Sequence, residues 1–204
     1  MSLFESPVSE LLPYDGSALF YSWVLEDRDA VQIFNDLNGA LPWEARTLRM
    51  FGKEIPQPRL ISWFADPGCD YSYSGISMNL NPWTQQLLEL KALSEKFSGA
   101  QFNSLLVNLY RNGSDKNSWH SDDEPELGIE PCIASLSLGA TRRFKFRHRE
   151  SKEVVECSLP SGSLVVMSGL SQKMWQHEVP RESKVTEPRI NLTFRRVRDT
   201  SQKN

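Results

Sequence analysis

The chain has little of what would announce several common functions. It has three cysteines, Cys69, Cys132 and Cys157, in 204 residues. They lack metal-ligand spacing and cannot all pair, which argues against a disulfide scaffold and for a reducing compartment. Positive charge is not in excess: the formal net charge is −3. Any contact with nucleic acid must therefore come from a local basic patch rather than from bulk charge. No apolar run approaches the roughly 20 residues that cross a bilayer, so no membrane association is expected. No basic segment followed by an apolar one opens the chain, so a secretory signal is not expected either. A cytoplasmic protein is the resulting expectation, nucleoid-associated if bacterial and nuclear if eukaryotic. Repeats and low-complexity tracts are missing. Strand–helix alternation is missing too, which excludes a doubly wound parallel sheet. Nothing in the pattern asks for an obligate oligomer, and a monomer is expected.

What remains is a chain of ordinary globular composition, 39% hydrophobic and 24% charged, long enough for one domain with an enclosed site. Residues 1–20 read as an irregular lead-in. Ala30, Ile33, Phe34 and Leu37 have helical spacing, with Asp27 as cap and Gly39 as stop. A second helix is marked by Asn81 at the N-cap, Pro82 at the first position and Gly99 past the end. Its buried stripe is Leu87, Leu90, Leu93 and Phe97. Residues 48–75 read as short strands and loops. After Gly99 the pattern becomes β, with candidate strands at Ser104–Arg111, Cys132–Gly139, Arg142–His148, Glu153–Leu159, Ser163–Ser168 and Pro188–Val197. The expected fold is an all-β jelly-roll core with helices packed outside. Residues 1–100 form an extension carrying two helices and recognition elements, and residues 101–204 form the core, as one integrated domain.

The last of those strands is the most informative. Side chains two apart share a face of a strand. Arg189, Asn191, Thr193 and Arg195 thus point one way, and Ile190, Leu192 and Phe194 the other. Two readings stay open: an exposed edge strand with solvated arginines, or an interior anion site. The two arginines are roughly 20 Å apart along the strand at about 3.3 Å per residue. Side chains leaning inward could hold the two ends of a short dicarboxylate.

The chain has only three histidines, His120, His148 and His177. His120 and Asp122 project to one side of an extended segment, and His177 follows a later strand. Two histidines and a carboxylate form the facial triad of non-haem Fe(II) oxygenases. A His-x-Asp is weak alone. His148, between Arg147 and Arg149, reads as a surface residue. Asn108 and Tyr110 add weight, because they share a strand face and suit hydrogen bonds to a carboxylate or keto acid. Arg189 and Arg195 supply planar cations for bidentate carboxylate binding.

The order Asn-x-Tyr, His-x-Asp, distant His and Arg-x-Asn-x-Thr-x-Arg resembles the AlkB family of Fe(II)- and 2-oxoglutarate-dependent dioxygenases, over about residues 50–197. Tyr73-Ser74-Gly75 and His120-Ser121-Asp122-Asp123-Glu124 resemble the branch that holds the human double-stranded-DNA repair enzyme. The resemblance implies a double-stranded β-helix, Fe(II) on His120, Asp122 and His177, and 2-oxoglutarate among Asn108, Tyr110, Arg189, Asn191 and Arg195. It implies Arg195 on the distal carboxylate and Arg189 nearer the metal. The implied reaction consumes molecular oxygen and removes N-alkyl groups, as in N1-methyladenine and N3-methylcytosine, from alkylated DNA. RNA, a protein or a small molecule stays open as substrate.

A base edge hidden in a duplex is reached by flipping or in single strands. By the same resemblance, Tyr73 and His120 would flank a flipped base, and Tyr71, Asp123 and Glu124 would line its pocket. The two acids could equally be a solvated loop. Phe51, beside Met50 and Gly52, reads as an apolar finger that could enter a base stack, or as core. The run Arg142, Arg143, Lys145, Arg147, Arg149 and Lys152 could meet phosphates or be a solvated face.

Overall fold

Side-chain alternation along strands decides this architecture, because two sheets face each other and share one interior. The structure, a computed structural model, describes residues 7–50, 53–69, 72–73, 76–77 and 80–198; for residues 48–50, 53–55, 72–73 and 76–77 only the backbone is described. In chain order the strands are β1 (Val8–Glu10), β2 (Ser17–Tyr21), β3 (Glu44–Met50), β4 (Lys53–Ala65), β5 (Ser72–Tyr73), β6 (Ile76–Ser77), β7 (Ser104–Tyr110), β8 (Asn117–His120), β9 (Ile133–Gly139), β10 (Arg142–His148), β11 (Val154–Leu159), β12 (Leu164–Ser168), β13 (Trp175–Val179) and β14 (Arg189–Arg195). The helices are α1 (Asp27–Ala40), α2 (Gln85–Ser98) and the short α3 (Ser171–Met174).

The large sheet runs β1-β2-β12-β9-β14-β7-β4-β3, and the small one β11-β10-β13-β8. β14 lies between β7 and β9, antiparallel to both. It is buried on both faces along its whole length. Ile190, Leu192 and Phe194 pack with Leu87 and Leu90 of α2 and Ala30 and Leu37 of α1. Each such side chain contributes about 1.5–3 kcal/mol on burial. The helices thus cover the apolar face of β14 and leave its polar face to the interior. The edge-strand reading fails, and the jelly roll with external helices stands.

β10 shows the opposite design, with one face inside and one outside. Phe144 and Phe146 are buried, while Arg143, Lys145 and Arg147 reach the outer face. The small sheet therefore supplies an aromatic floor beneath the polar face of β14.

Several expectations change. The lead-in is not irregular: β1 and β2 extend the large sheet by pairing through β2 to β12. Residues 48–75 hold one long strand, β4, as well as short ones, and β4 pairs with β7. The line at residue 100 thus crosses a single sheet. Thr84, not Asn81, caps α2, its hydroxyl accepting from Leu87 N at 3.3 Å, while Gly99 takes the left-handed end as expected. Asn81 instead donates to Trp63 O. Helix α1 starts at Asp27 rather than being capped by it, and runs through Gly39 to Ala40. Two strands hidden from the sequence reading, β8 and β13, carry His120 and His177.

Candidate active site

β8 and β13 pair antiparallel with His177 opposite His120. Their rings meet edge to face, 4.2 Å between centroids. Asp122 follows two residues beyond the end of β8. One ligand atom from each of His120, Asp122 and His177 falls within 4.8 Å of the others. Asp122 and His177 are buried and His120 is half-buried. His120 Nδ1 lies 2.7 Å from Ser118 O, which fixes the tautomer with the proton there. Nε2 then keeps its lone pair, with the Asn117 amide 3.0 Å away. Gln172 of α3 accepts from Asp122 N at 2.9 Å and positions the loop. Two neutral imidazoles and a carboxylate converging this closely suit a divalent first-row metal and leave coordination positions for other ligands.

The electrostatics keep these groups in metal-binding form. Burial disfavours a charged Asp122 carboxylate, but the charges of Arg195, His177 and His120 and the Arg195 hydrogen bond outweigh it and hold its pKa below the usual carboxylate range. Burial, with His120 and Arg195 nearby, lowers His177 to about 3 despite Asp122. Burial also lowers His120, against the pull of Asp122. At neutral pH the set is therefore two bases and one anion.

The polar face of β14 runs away from this cluster. Its neighbours across the ladder are Tyr110 and Gly139 beside Arg189, Asn108 and Ser137 beside Asn191, and Ser104 beside Arg195. Arg195 is the end near the metal cluster: its Nη2 donates to Asp122 Oδ1 at 2.7 Å. Arg189 is the far end. This reverses the expected order, in which Arg195 held the distal carboxylate. The direction of β14 decides it, because Asp122 faces the strand's C-terminal end.

Arg189 is fully buried, and Tyr110 lies against it with the guanidinium 5.2 Å from the ring centroid. One of its nitrogens donates to Ser137 Oγ at 2.9 Å. Among the described residues its Nε and Nη1 meet no acceptor of hydrogen-bonding geometry. Burial lowers its pKa, with Tyr110 opposing. A buried cation without an anion is costly. The arrangement suits a carboxylate bound there. Asn108, Tyr110, Asn191 and Arg195 line one interior space with the triad, and Tyr110 in turn lies against the Arg189 guanidinium. Asn191 is already engaged: its amide donates to Ser135 Oγ and Leu136 O, and its oxygen accepts from Thr193. The residues present thus fit Fe(II) at one end and a dicarboxylate reaching the other.

One buried cation escaped the sequence reading. Arg59 of β4 donates from Nε to Asn108 Oδ1 at 2.7 Å and bears on His120 electrostatically. A Pro-Arg-Leu step in a stretch read as loops gave no signal; the signal was the long alternation of β4.

On the substrate side the outcome is mixed. Asp123 is exposed and meets Arg149 at 2.9 Å. Glu124 is half-buried beside it. Phe51 and Tyr71 lie outside the described residues, as does the side chain of Tyr73, whose backbone belongs to β5. The basic run is mostly spoken for. Arg142 is buried and binds Glu182 and three backbone carbonyls. Arg143 pairs with Glu182 and Glu156, and Lys145 with Glu156. Arg147 stacks on Trp119, 4.4 Å from the ring centroid. His148 is not a surface residue: it is buried between Tyr14 and Trp175, with Asp15 3.2 Å away.

Comparison with known proteins converges on the same chemistry. A model of the 2OG-Fe(II) oxygenase superfamily matches residues 17–195. The chain is 46% identical over 180 residues to the cattle protein named alpha-ketoglutarate-dependent dioxygenase alkB homolog 3, covering 83% of this chain and 62% of that one. Against the human protein of that name the identity is 42%, with 97% and 69% covered. The human DNA oxidative demethylase ALKBH2 is 34% identical, with 90% of this chain and 74% of that protein covered. Identity is thus higher to these alkB homolog 3 proteins than to human ALKBH2. The solved structure of OsALKBH1 superposes with a TM-score of 0.61 at 17% identity, over 93% of this chain and all of the other, a likeness of fold. With its converging His120, Asp122 and His177, this chain belongs to the AlkB family of 2-oxoglutarate- and Fe(II)-dependent dioxygenases.

Proposed function

We propose that the protein oxidatively removes N-alkyl groups from bases of nucleic acid, with alkylated DNA as substrate, as a direct-reversal repair enzyme. The observation that carries the cosubstrate half is Arg189, a buried guanidinium with two unpartnered nitrogens, at the far end of the face that carries the triad. His120, Asp122 and His177 hold Fe(II). Arg189, with Tyr110 against it, binds the distal carboxylate of 2-oxoglutarate. Arg195 keeps Asp122 ionised and oriented. Asn108, steadied by Arg59, is placed to donate to the bound keto acid. When bound, Fe(II) supplies the oxidising chemistry, in which O2 hydroxylates the N-methyl carbon while 2-oxoglutarate becomes succinate and carbon dioxide. The resulting N-hydroxymethyl group loses formaldehyde and leaves the unmodified base. The apolar floor of Phe144 and Phe146 excludes water around these groups, which strengthens each polar contact.

The nucleic-acid half rests on the relatives, one of which is named as a DNA demethylase. A substrate base must leave its stack to reach a site lined by buried strands. The test gives the protein Fe(II), ascorbate and 2-oxoglutarate with single- and double-stranded oligonucleotides carrying one N1-methyladenine. Loss of 14 mass units per base, equal to one CH2 by the chemistry, is expected only with both iron and 2-oxoglutarate. Succinate without demethylation of DNA or of the matching RNA would overturn the base-repair reading. Phe51→Ala should weaken action on duplex more than on single strands; equal loss would remove the finger.

A further inference from the structure

The bend in β8 that turns His120 inward also turns in Asn117. The two lie three apart, so on a regular strand they would face opposite sides. Yet both line the interior space that holds the triad. The cause is a bulge. His177 pairs with His120 and Val179 with Asn117, so Ser118 and Trp119 together stand opposite Glu178. An extra residue of this kind bends its strand and re-aims the side chains around it. On the outer side, Trp119 is pinned by the Arg147 guanidinium, 4.4 Å from the ring centroid. The carbonyl of Ser118, within the bulge, lies 2.7 Å from His120 Nδ1.

That geometry decides which atoms meet. A carbonyl has no proton to give, so the proton between Ser118 O and Nδ1 belongs to the ring, and Nε2 offers a lone pair. Asn117 Nδ2 lies 3.0 Å from Nε2. An amide nitrogen only donates, so this lone pair accepts from Asn117. It is also the lone pair that His120 has for a metal, because Nδ1 is engaged. One lone pair serves one partner. The other two amides of this space are turned to protein groups, Asn108 to Arg59 and Asn191 to Ser135, Leu136 and Thr193.

We propose that Asn117 is a cap on the metal site: its amide holds His120 in the tautomer and orientation of a ligand, and a metal ion binds His120 only by displacing it. The inference rests on His120 as a metal ligand, the reading above, and adds a positioning residue to that site. The two partners of the imidazole then act in opposite senses. Ser118 O, on the far ring nitrogen, supports coordination, as such outer partners do. Asn117, on the coordinating nitrogen, opposes it. The site therefore binds metal more weakly than its three ligands alone would, while the histidine stays ordered before the metal arrives.

The test is metal affinity. Wild type, Asn117→Val and His120→Ala would be titrated with Mn(II) alone, with the free ion followed by electron paramagnetic resonance. Asn117→Val keeps a compact side chain suited to a strand and removes the donor. A hydrogen bond of ordinary net strength corresponds to roughly 2–10-fold in affinity, so Asn117→Val should bind Mn(II) tighter by about that factor. At one fixed Mn(II) concentration, its melting temperature should also rise further above its own metal-free value than that of the wild type. A gain in affinity is a result that a loosened fold does not produce. Equal or weaker binding by Asn117→Val, with binding lost in His120→Ala, overturns the cap and leaves the triad standing. Binding that survives intact in His120→Ala removes His120 from the site and overturns both.

Discussion

Arg189 and Arg195 are the same residue type on the same face of the same strand, and both are buried. Their partners differ. Arg195 meets a carboxylate of its own chain, Asp122 at 2.7 Å. Arg189 meets a serine hydroxyl and the face of a tyrosine. A buried cation paired internally organises its neighbour, whereas one left with neutral partners is stable only when an anion arrives from outside. The contrast supports Arg195 at the metal end and Arg189 at the cosubstrate's far end, the reverse of the order that the resemblance implied.

The strongest test of the metal end removes a ligand. Asp122→Ala or His177→Ala should bring 2-oxoglutarate turnover to background, with circular dichroism unchanged. Surviving turnover would dissolve the cluster around which both arginines are arranged.

Next in size is the split between the arginines. Charge-assisted hydrogen bonds contribute about 1.5–3 kcal/mol each. Losing one to a carboxylate corresponds to roughly 10–100-fold in affinity. Arg189→Ala should therefore raise the KM for 2-oxoglutarate by about that factor, with kcat at saturation changed little. Arg195→Ala should instead weaken Fe(II) or Mn(II) binding by roughly 10–100-fold, as loss of a group that orients a ligand does. Titrations of metal and cosubstrate on each variant check this. The reverse pattern would restore the order expected from the sequence.

A smaller effect separates the ends by pH. In metal-free protein His177 is lowered to about 3, from an ordinary value of 6.5. The unfolded chain therefore takes up a proton as pH falls below 6.5 while the folded one does not. Stability contributed by this group is full above pH 6.5 and is lost progressively as pH falls toward 3. Asp122, lowered in the fold, acts in the same direction at lower pH. Melting temperatures from pH 7 to pH 4 should fall for the wild type and fall less for His177→Ala. Arg189 stays protonated across that window, and Arg189→Ala should keep the wild-type slope.

How far the sequence could reach is visible in these same residues. Strict alternation made β14 legible, and the chain order of His120, Asp122 and His177 made the triad legible. Which end of β14 meets the metal was not legible, because a face does not carry a direction until its neighbours are placed. β13 was missed although Trp175, His177 and Val179 alternate with Gln176 and Glu178, since the short α3 ahead of it read as loop. His148 was misplaced because its two arginine neighbours suggested solvent, while the strand turns them outward and the imidazole inward. Arg142 misled for the converse reason: its charge suggested phosphate, yet it is tied inside the protein.

The smallest expected effect lies on β10, where Arg142 and Arg143 are consecutive and both reach Glu182. The Arg142 side chain is 1% exposed and that of Arg143 is 41% exposed. Removing Arg142 leaves Glu182 with Arg143 alone and strands the carbonyls of Asn112, Asp115 and Pro180, which should cost about 3 kcal/mol or more. Arg143 bonds in water-screened surroundings, where such pairs contribute about 0.2–1 kcal/mol. Arg143→Ala should therefore shift the urea midpoint only slightly, while Arg142→Ala shifts it far. Equal shifts would mean that Glu182, rather than burial of the arginine, sets the stability of this corner. In that case Glu182→Gln should reproduce the whole loss by itself.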